Sequence, residues 1–152
     1  MAKFLSTLVV VSLALANFSL AQAADLTGKW RTIDDKTGFS KAMVEIRQQA
    51  DGSYTGTIIQ LIPRPGYTPK ETCQRCPAPY TNKPIVGLPI LQGLKPDPKH
   101  ENNFHGARVL DPLSGNLYKG KAKLSADGRR FTFRGYVGIS ALGRSQTWLR
   151  ED

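Results

Sequence analysis

The 152-residue chain carries two cysteines, two histidines and two tryptophans, and its 12 acidic side chains are outnumbered by 21 lysines and arginines. It has no Gly-x-Ser-x-Gly, no phosphate-binding loop and no dinucleotide fingerprint, so neither a nucleophile elbow nor a nucleotide cradle is expected. No enzyme activity is recognisable, and the sequence implies no cofactor. Beyond residue 23, no stretch keeps the apolar period of a helix, and no repeat of solenoid length occurs. The one acidic doublet, Asp34-Asp35, precedes Lys36-Thr37-Gly38 and reads as turn chemistry. Paired catalytic carboxylates must face each other across a cleft, whereas adjacent residues on a strand point apart.

The N-terminus has a distinct character. Lys3 precedes a mostly apolar run from Phe4 to Leu20, which ends at Ala21-Gln22-Ala23. Charge, apolar core and small-x-small site in that order read as a secretory signal peptide over 1–23. Ser6, Thr7, Ser12, Asn17 and Ser19 interrupt the run and argue against a membrane anchor, and no cysteine follows the cut to take a lipid. The expected address is the periplasm, with secretion as the alternative. Residues 24–152 are long enough for one domain with a single core. Loss of Lys3 takes the net charge from +9 to +8. That excess favours anionic surfaces or acidic ligands, or is simply a solvated face. Export and the lack of a recognition motif argue against nucleic acid.

The remaining chain reads as β. In "SKAMVEIRQ" (40–48), Ala42, Val44, Ile46 and Gln48 share one face, and Met43, Glu45 and Arg47 the other. Period two marks a half-buried strand. Asp51-Gly52 turns the chain into "SYTGTIIQLI" (53–62). "NLYKGKAKLS" (116–125) sets Lys119, Lys121 and Lys123 opposite Gly120, Ala122 and Leu124, a lysine face read as solvation and edge protection. Asp127-Gly128 leads into "RRFTFRGYVG" (129–138), with Phe131 and Phe133 inward, and "GRSQTWLR" (143–150) closes the chain. Segment 63–102 holds nine of the ten prolines and both cysteines, which argues against a long helix or a central strand. Its apolar part, "IVGLPILQGL" (85–94), should pack on a barrel mouth or add a short strand.

Hairpins joined in sequence, each with one buried face, predict an all-β fold, a small antiparallel up-and-down barrel with a proline-rich excursion. Trp30 should plug its closed end beside Trp148 and Arg150 of the last strand, with a cation–π contact worth about 0.5–2 kcal/mol. Gly28-Lys29-Trp30 at one end and Arg150 at the other resemble the pattern of the calycin superfamily, which includes the lipocalins. "GKWRTIDDKTG", "VGLPILQGL", "VLDPLSGNLYKGKAKLS" and "RGYVGISALGRSQTWLR" resemble, in this order, the bacterial exported family called domain of unknown function 2147. That resemblance implies a lipocalin-like barrel in the bacterial envelope, without an established activity.

Three constellations could carry function. Cys73-Gln74-Arg75-Cys76 in an oxidising compartment reads as a disulfide; with His100 and His105 it also fits a tetrahedral zinc set, at longer spacing than in zinc fingers, and no metal is assigned. If Trp148 points inward, so do Gln146 and Arg144, and an inward arginine needs an anionic ligand or an acidic partner. Trp30, Arg144, Gln146 and Trp148 are therefore the candidate binding residues for a small amphipathic or hydrophobic ligand. The competing reading is a filled barrel that docks a partner protein or an anionic surface through its basic face and proline-rich loop.

Overall fold

The computed structural model describes residues 24–137 and 143–151. The expected leader, 1–23, lies outside the described residues. Eight strands follow in order: β1 (Gly28–Ile33), β2 (Ser40–Gln48), β3 (Tyr54–Leu61), β4 (Pro89–Pro96), β5 (Asn103–Leu110), β6 (Leu117–Leu124), β7 (Arg130–Tyr136) and β8 (Arg144–Glu151). Each pairs antiparallel with the next, and β1 pairs with β8 through Trp30 opposite Arg150 and Thr32 opposite Trp148, closing the barrel. The all-β, up-and-down barrel expected from the alternation is the fold observed.

Period two decides what fills it. Val44 and Ile46 of β2, Phe131 and Phe133 of β7 and Trp148 of β8 are buried, while the residues between them face outward. The closed end is solid with aromatic rings: Phe131 lies 5.6 Å from Trp30 and 5.4 Å from Trp148, centroid to centroid. Ahead of β1, Leu26 is fully buried and its carbonyl accepts a 2.8 Å hydrogen bond from Trp30 Nε1. Gly28 has φ +134°, and a Cβ there would meet Arg150 Nη1 at 3.0 Å. Both the backbone conformation and the space therefore call for glycine in Gly28-Lys29-Trp30.

The structure corrects two expectations. Residues 89–96 form a full barrel strand paired on both sides, to β3 and to β5, although prolines bracket them. Pro89 is its first residue and Pro96 its last, where a missing N–H costs the ladder least. The lysines of β6 are exposed as expected, but they protect no edge, because β6 is hydrogen-bonded to β5 and β7.

The excursion between β3 and β4 folds back on itself. Cys73 N–H donates to Lys83 O, Asn82 N–H to Cys73 O, and Ile85 N–H to Glu71 O. Cys73 and Cys76 form a disulfide with Cα atoms 5.4 Å apart. Both are buried, and Cys73 Sγ lies 3.2 Å from Pro112 O of the β5–β6 loop. In that loop Gly115 (φ +78°) sits against Arg75, whose carbonyl oxygen would be 1.9 Å from any added Cβ. The excursion is thus packed onto the mouth, the end where β1–β2, β3–β4, β5–β6 and β7–β8 are joined.

A candidate binding cleft at the barrel mouth

Alternation along β8 carries Trp148, Gln146 and Arg144 in a row from the packed interior to the rim. Trp148 is 2 % exposed and forms part of the cleft floor, with its Nε1 directed at Gln146 Oε1 3.4 Å away. Above it opens a cleft of about 320 Å³, with Ile90, Tyr118 and Phe133 among its walls. A narrower recess of about 100 Å³ shares Ile90, Gln146 and Trp148 and extends to Ile58, Leu61 and Ile85. The Phe133 ring lies over Gly120, and beyond this pair β7 and β6 offer Gly135 and Tyr118 to the cleft.

The rim is charged and paired. Arg144 Nη2 contacts both carboxylate oxygens of Asp35, at 3.2 and 3.5 Å. Asp34 is buried; its Oδ1 accepts the N–H of Lys36 at 2.9 Å and of Thr37 at 2.8 Å, and its other oxygen pairs with Lys41. The Lys41 ammonium holds the Asp34 carboxyl far below the usual carboxylate range; burial opposes this and the two backbone donors reinforce it. Farther out, Arg64 stacks on Phe39 at 4.7 Å and on Tyr67 at 5.1 Å, and it donates to Thr37 Oγ1 at 3.1 Å. The excursion and the β1–β2 loop are thereby tied together on one side of the mouth.

Of the four candidate binding residues, the structure brings Arg144, Gln146 and Trp148 to this cleft and leaves Trp30 at the opposite end. Trp30 is fully buried, and Arg150 lies over its ring at 4.3 Å, the contact expected from sequence. Arg144 is on the cleft side of β8 but stands at the rim with its side chain 63 % exposed, so no unpaired charge is buried. Its acidic partner was foreseen as a type but not as Asp35, and it lies at the rim rather than inside. Arg134 is on the outer face, where Nη1 donates to Ser145 Oγ at 3.2 Å.

Sequence reasoning missed Lys41 and Asp34 as cleft residues. Register irregularities between Arg31 and Ile33, and between Met43 and Val44, break the alternation that would have placed Lys41. Ile90 belongs to the stretch 85–94 expected at the mouth, and the structure brings it to the cleft. Asp34 does make the expected turn, and that role left its position at the mouth unread. The four residues of the zinc reading are divided between the two ends. The cysteines are bonded to each other at the mouth, and His100 sits in the far β4–β5 turn, 3.3 Å from Asp97. Among the described residues, no group of three or more His, Cys, Asp or Glu is placed to hold a metal ion.

The fold has a solved counterpart. The structure is similar to one described as "Protein HP1028 from the human pathogen Helicobacter pylori belongs to the lipocalin family", with a TM-score of 0.69 and 20 % sequence identity over 85 % of this chain and 84 % of that one. At that identity the likeness supports a lipocalin-like fold and no more. No curated protein matches the chain. Residues 28–150, from the glycine under Arg150 to Arg150 itself, match the family model described as "Uncharacterized protein conserved in bacteria (DUF2147)", and the chain belongs to that family.

Proposed function

We propose that this chain is an exported barrel that binds a small amphipathic molecule at its mouth, in the periplasm. The observation that carries the proposal is the cleft over Trp148, apolar at its floor and charged at its rim. Its volume lies at the small end of the range for ligand sites, about 300–1,000 Å³. It therefore suits one short chain or ring system rather than a two-chain lipid. The apolar part would rest on Trp148, Ile90 and Phe133. A carboxylate or phosphate would reach Arg144, whose exposed guanidinium can exchange Asp35 for the ligand. The lipocalin-like fold supports this reading, since closed barrels present their mouths as sites.

The test is native mass spectrometry of the full chain expressed in a bacterium and recovered by periplasmic release. A mass beginning at Ala24, with an added organic mass that leaves on denaturation, is the expected result. A chain that stays in the cytoplasm with residues 1–23 attached overturns the location. A bare protein that also takes up no medium-chain fatty acid or aromatic acid overturns the binding.

A further inference from the structure

The two ends of the barrel differ in what they expose. Every large hydrophobic side chain that the described residues leave exposed lies toward the mouth. Phe39 of the β1–β2 loop is 56 % exposed, and Tyr67 and Val86 of the excursion and Leu113 of the β5–β6 loop are exposed with it. Leu117 opens β6 at this end, Val137 follows β7, and Ile59 is two residues from the mouth end of β3. At the base, where β2–β3, β4–β5 and β6–β7 are joined, the described residues expose none. One exposed aliphatic side chain needs no explanation, whereas a set confined to one end marks an interaction surface.

Charge divides along the same axis. The excursion carries Arg64, Lys70, Arg75 and Lys83 against one acid, Glu71. The other carboxylates of the mouth are engaged: Asp34 pairs with Lys41, Asp35 with Arg144, and Asp111 accepts from Leu113 N–H and Ser114 Oγ in its own turn. The base turns have the opposite balance, with Asp51, Asp97, Glu101 and Asp127 against Lys99 and Arg129. The loops are therefore cationic and apolar at the mouth, and acidic without exposed large apolar groups at the base.

Arg64 shows how the two characters combine. Its guanidinium lies 4.7 Å from the Phe39 ring centroid and 5.1 Å from that of Tyr67, so a cation and two aromatic rings form one amphipathic cluster at the rim. Aromatic rings beside long basic side chains suit the interfacial layer of a bilayer, where rings sit among head groups and cations meet phosphates. Each of the four connections at the mouth contributes at least one exposed apolar side chain, so these surround the cleft instead of forming one patch. An acidic protein would be expected to meet a close-packed anchor at the centre of its docking surface, and the centre of this one is the cleft.

We propose that the mouth docks on an anionic lipid bilayer, with Phe39, Val86 and Leu117 entering the interface and Arg75 and Lys83 meeting the phosphates. These five residues lie outside the cleft walls, so docking does not depend on ligand binding there. The orientation sets the cleft entrance against the membrane, and an amphipathic molecule bound as proposed above would exchange with the bilayer without crossing water.

The test uses the chain from Ala24, which contains every strand of the closed barrel. Co-sedimentation is measured with vesicles of equal parts phosphatidylcholine and phosphatidylglycerol, and with phosphatidylcholine alone. Binding is expected to be much tighter on the anionic vesicles and to weaken as salt rises. Arg75→Gln with Lys83→Gln should lose about thirtyfold in affinity. Lys29→Gln with Lys99→Gln changes the net charge equally at the base and should lose far less. Val86→Ser with Leu117→Ser should weaken vesicle binding roughly tenfold and leave binding to heparin, a soluble polyanion, unchanged. All three pairs alter exposed side chains and should keep the parent's Tm. Orientation is read from an added tryptophan, with the parent's emission subtracted: Val86→Trp should shift to the blue on anionic vesicles and be quenched by brominated acyl chains, and Lys99→Trp should do neither. No binding to anionic vesicles, equal losses in the two charge pairs, a Val86→Ser, Leu117→Ser variant that binds as well as the parent, or quenching at position 99 instead of 86 would each overturn the proposal. Heparin binding without vesicle binding would overturn it in favour of a soluble polyanion.

Discussion

Arg150 lies over the Trp30 ring, 4.3 Å from its centroid, and from that position donates to three backbone carbonyls: Gly128 O at 2.8 Å, Thr27 O at 2.7 Å and Asp25 O at 2.7 Å. One side chain therefore joins the last strand, the β6–β7 turn and the segment that leads into the first strand. Arg150→Ala should lower stability by about 2–3 kcal/mol, since hydrogen bonds from a charged donor are each worth about 1.5–3 kcal/mol and do not add fully. Arg150→Lys should recover little, because an ammonium cannot span three acceptors while stacking on the indole. Urea unfolding of the two variants checks both statements. A lysine variant as stable as the parent would show that charge alone suffices.

Gly120 and Phe133 are the second tight pair. A Cβ on Gly120 would lie 2.0 Å from Phe133 Cζ, so the buried ring or its strand must shift to admit it. Gly120→Ala should cost about 1–3 kcal/mol through overpacking. Combining it with Phe133→Leu should recover part of the loss, and thermal unfolding of the single and double variants measures the coupling. Strict additivity would mean that the two residues do not compete for space.

Acid should weaken the β1–β2 loop through Asp34. Its folded pKa is lowered, chiefly by Lys41, so the group contributes stability that is complete above the ordinary carboxylate value of about 4 and is lost as pH falls through the folded value. Asp34→Asn keeps an oxygen for the N–H groups of Lys36 and Thr37 and loses the charge. It should be less stable than the parent at neutral pH, and the gap should narrow steadily below about pH 4. Denaturant titrations from neutrality down to about pH 2 follow this; a constant gap would leave the ion pair with no net contribution.

At the rim, Asp35 and a ligand carboxylate would compete for the same guanidinium. Asp35→Asn should tighten binding of a medium-chain fatty acid, whereas Arg144→Gln should weaken it by roughly tenfold or more. Neither change should matter to the methyl ester of the same acid. Calorimetry with the acid and the ester separates these effects. An ester as sensitive as the acid would mean that the rim charges shape the cleft without touching the ligand head group.

Strand alternation was legible wherever a turn with Asp-Gly bounded it, as at Asp51-Gly52 and Asp127-Gly128, because the period of two and the turn chemistry are both local. The contact of Trp30 with Arg150 was also legible, since closure forces first and last strands together. The strand at 89–96 was legible only as one of two alternatives for 85–94, and its central, two-sided pairing was not. Its prolines suppress a local strand signal, and only its neighbours, paired through Leu91 opposite Val109 and Gly56 opposite Leu91, pull it into the sheet. The cleft was readable from β8 alone, where Trp148, Gln146 and Arg144 alternate. Ile90 of the other wall lies in the stretch expected at the mouth, whereas segment 34–41 spans a turn and an irregular register that carry no period.

Closure of the barrel through Lys29 opposite Glu151 brings the beginning and the end of the barrel chain side by side, at the end away from the mouth. A fusion partner, an affinity tag or a surface linkage joined beside Lys29 or Glu151 therefore starts from the base. A sensor chip coated through such a linkage would hold the barrel upright with its mouth facing the flow.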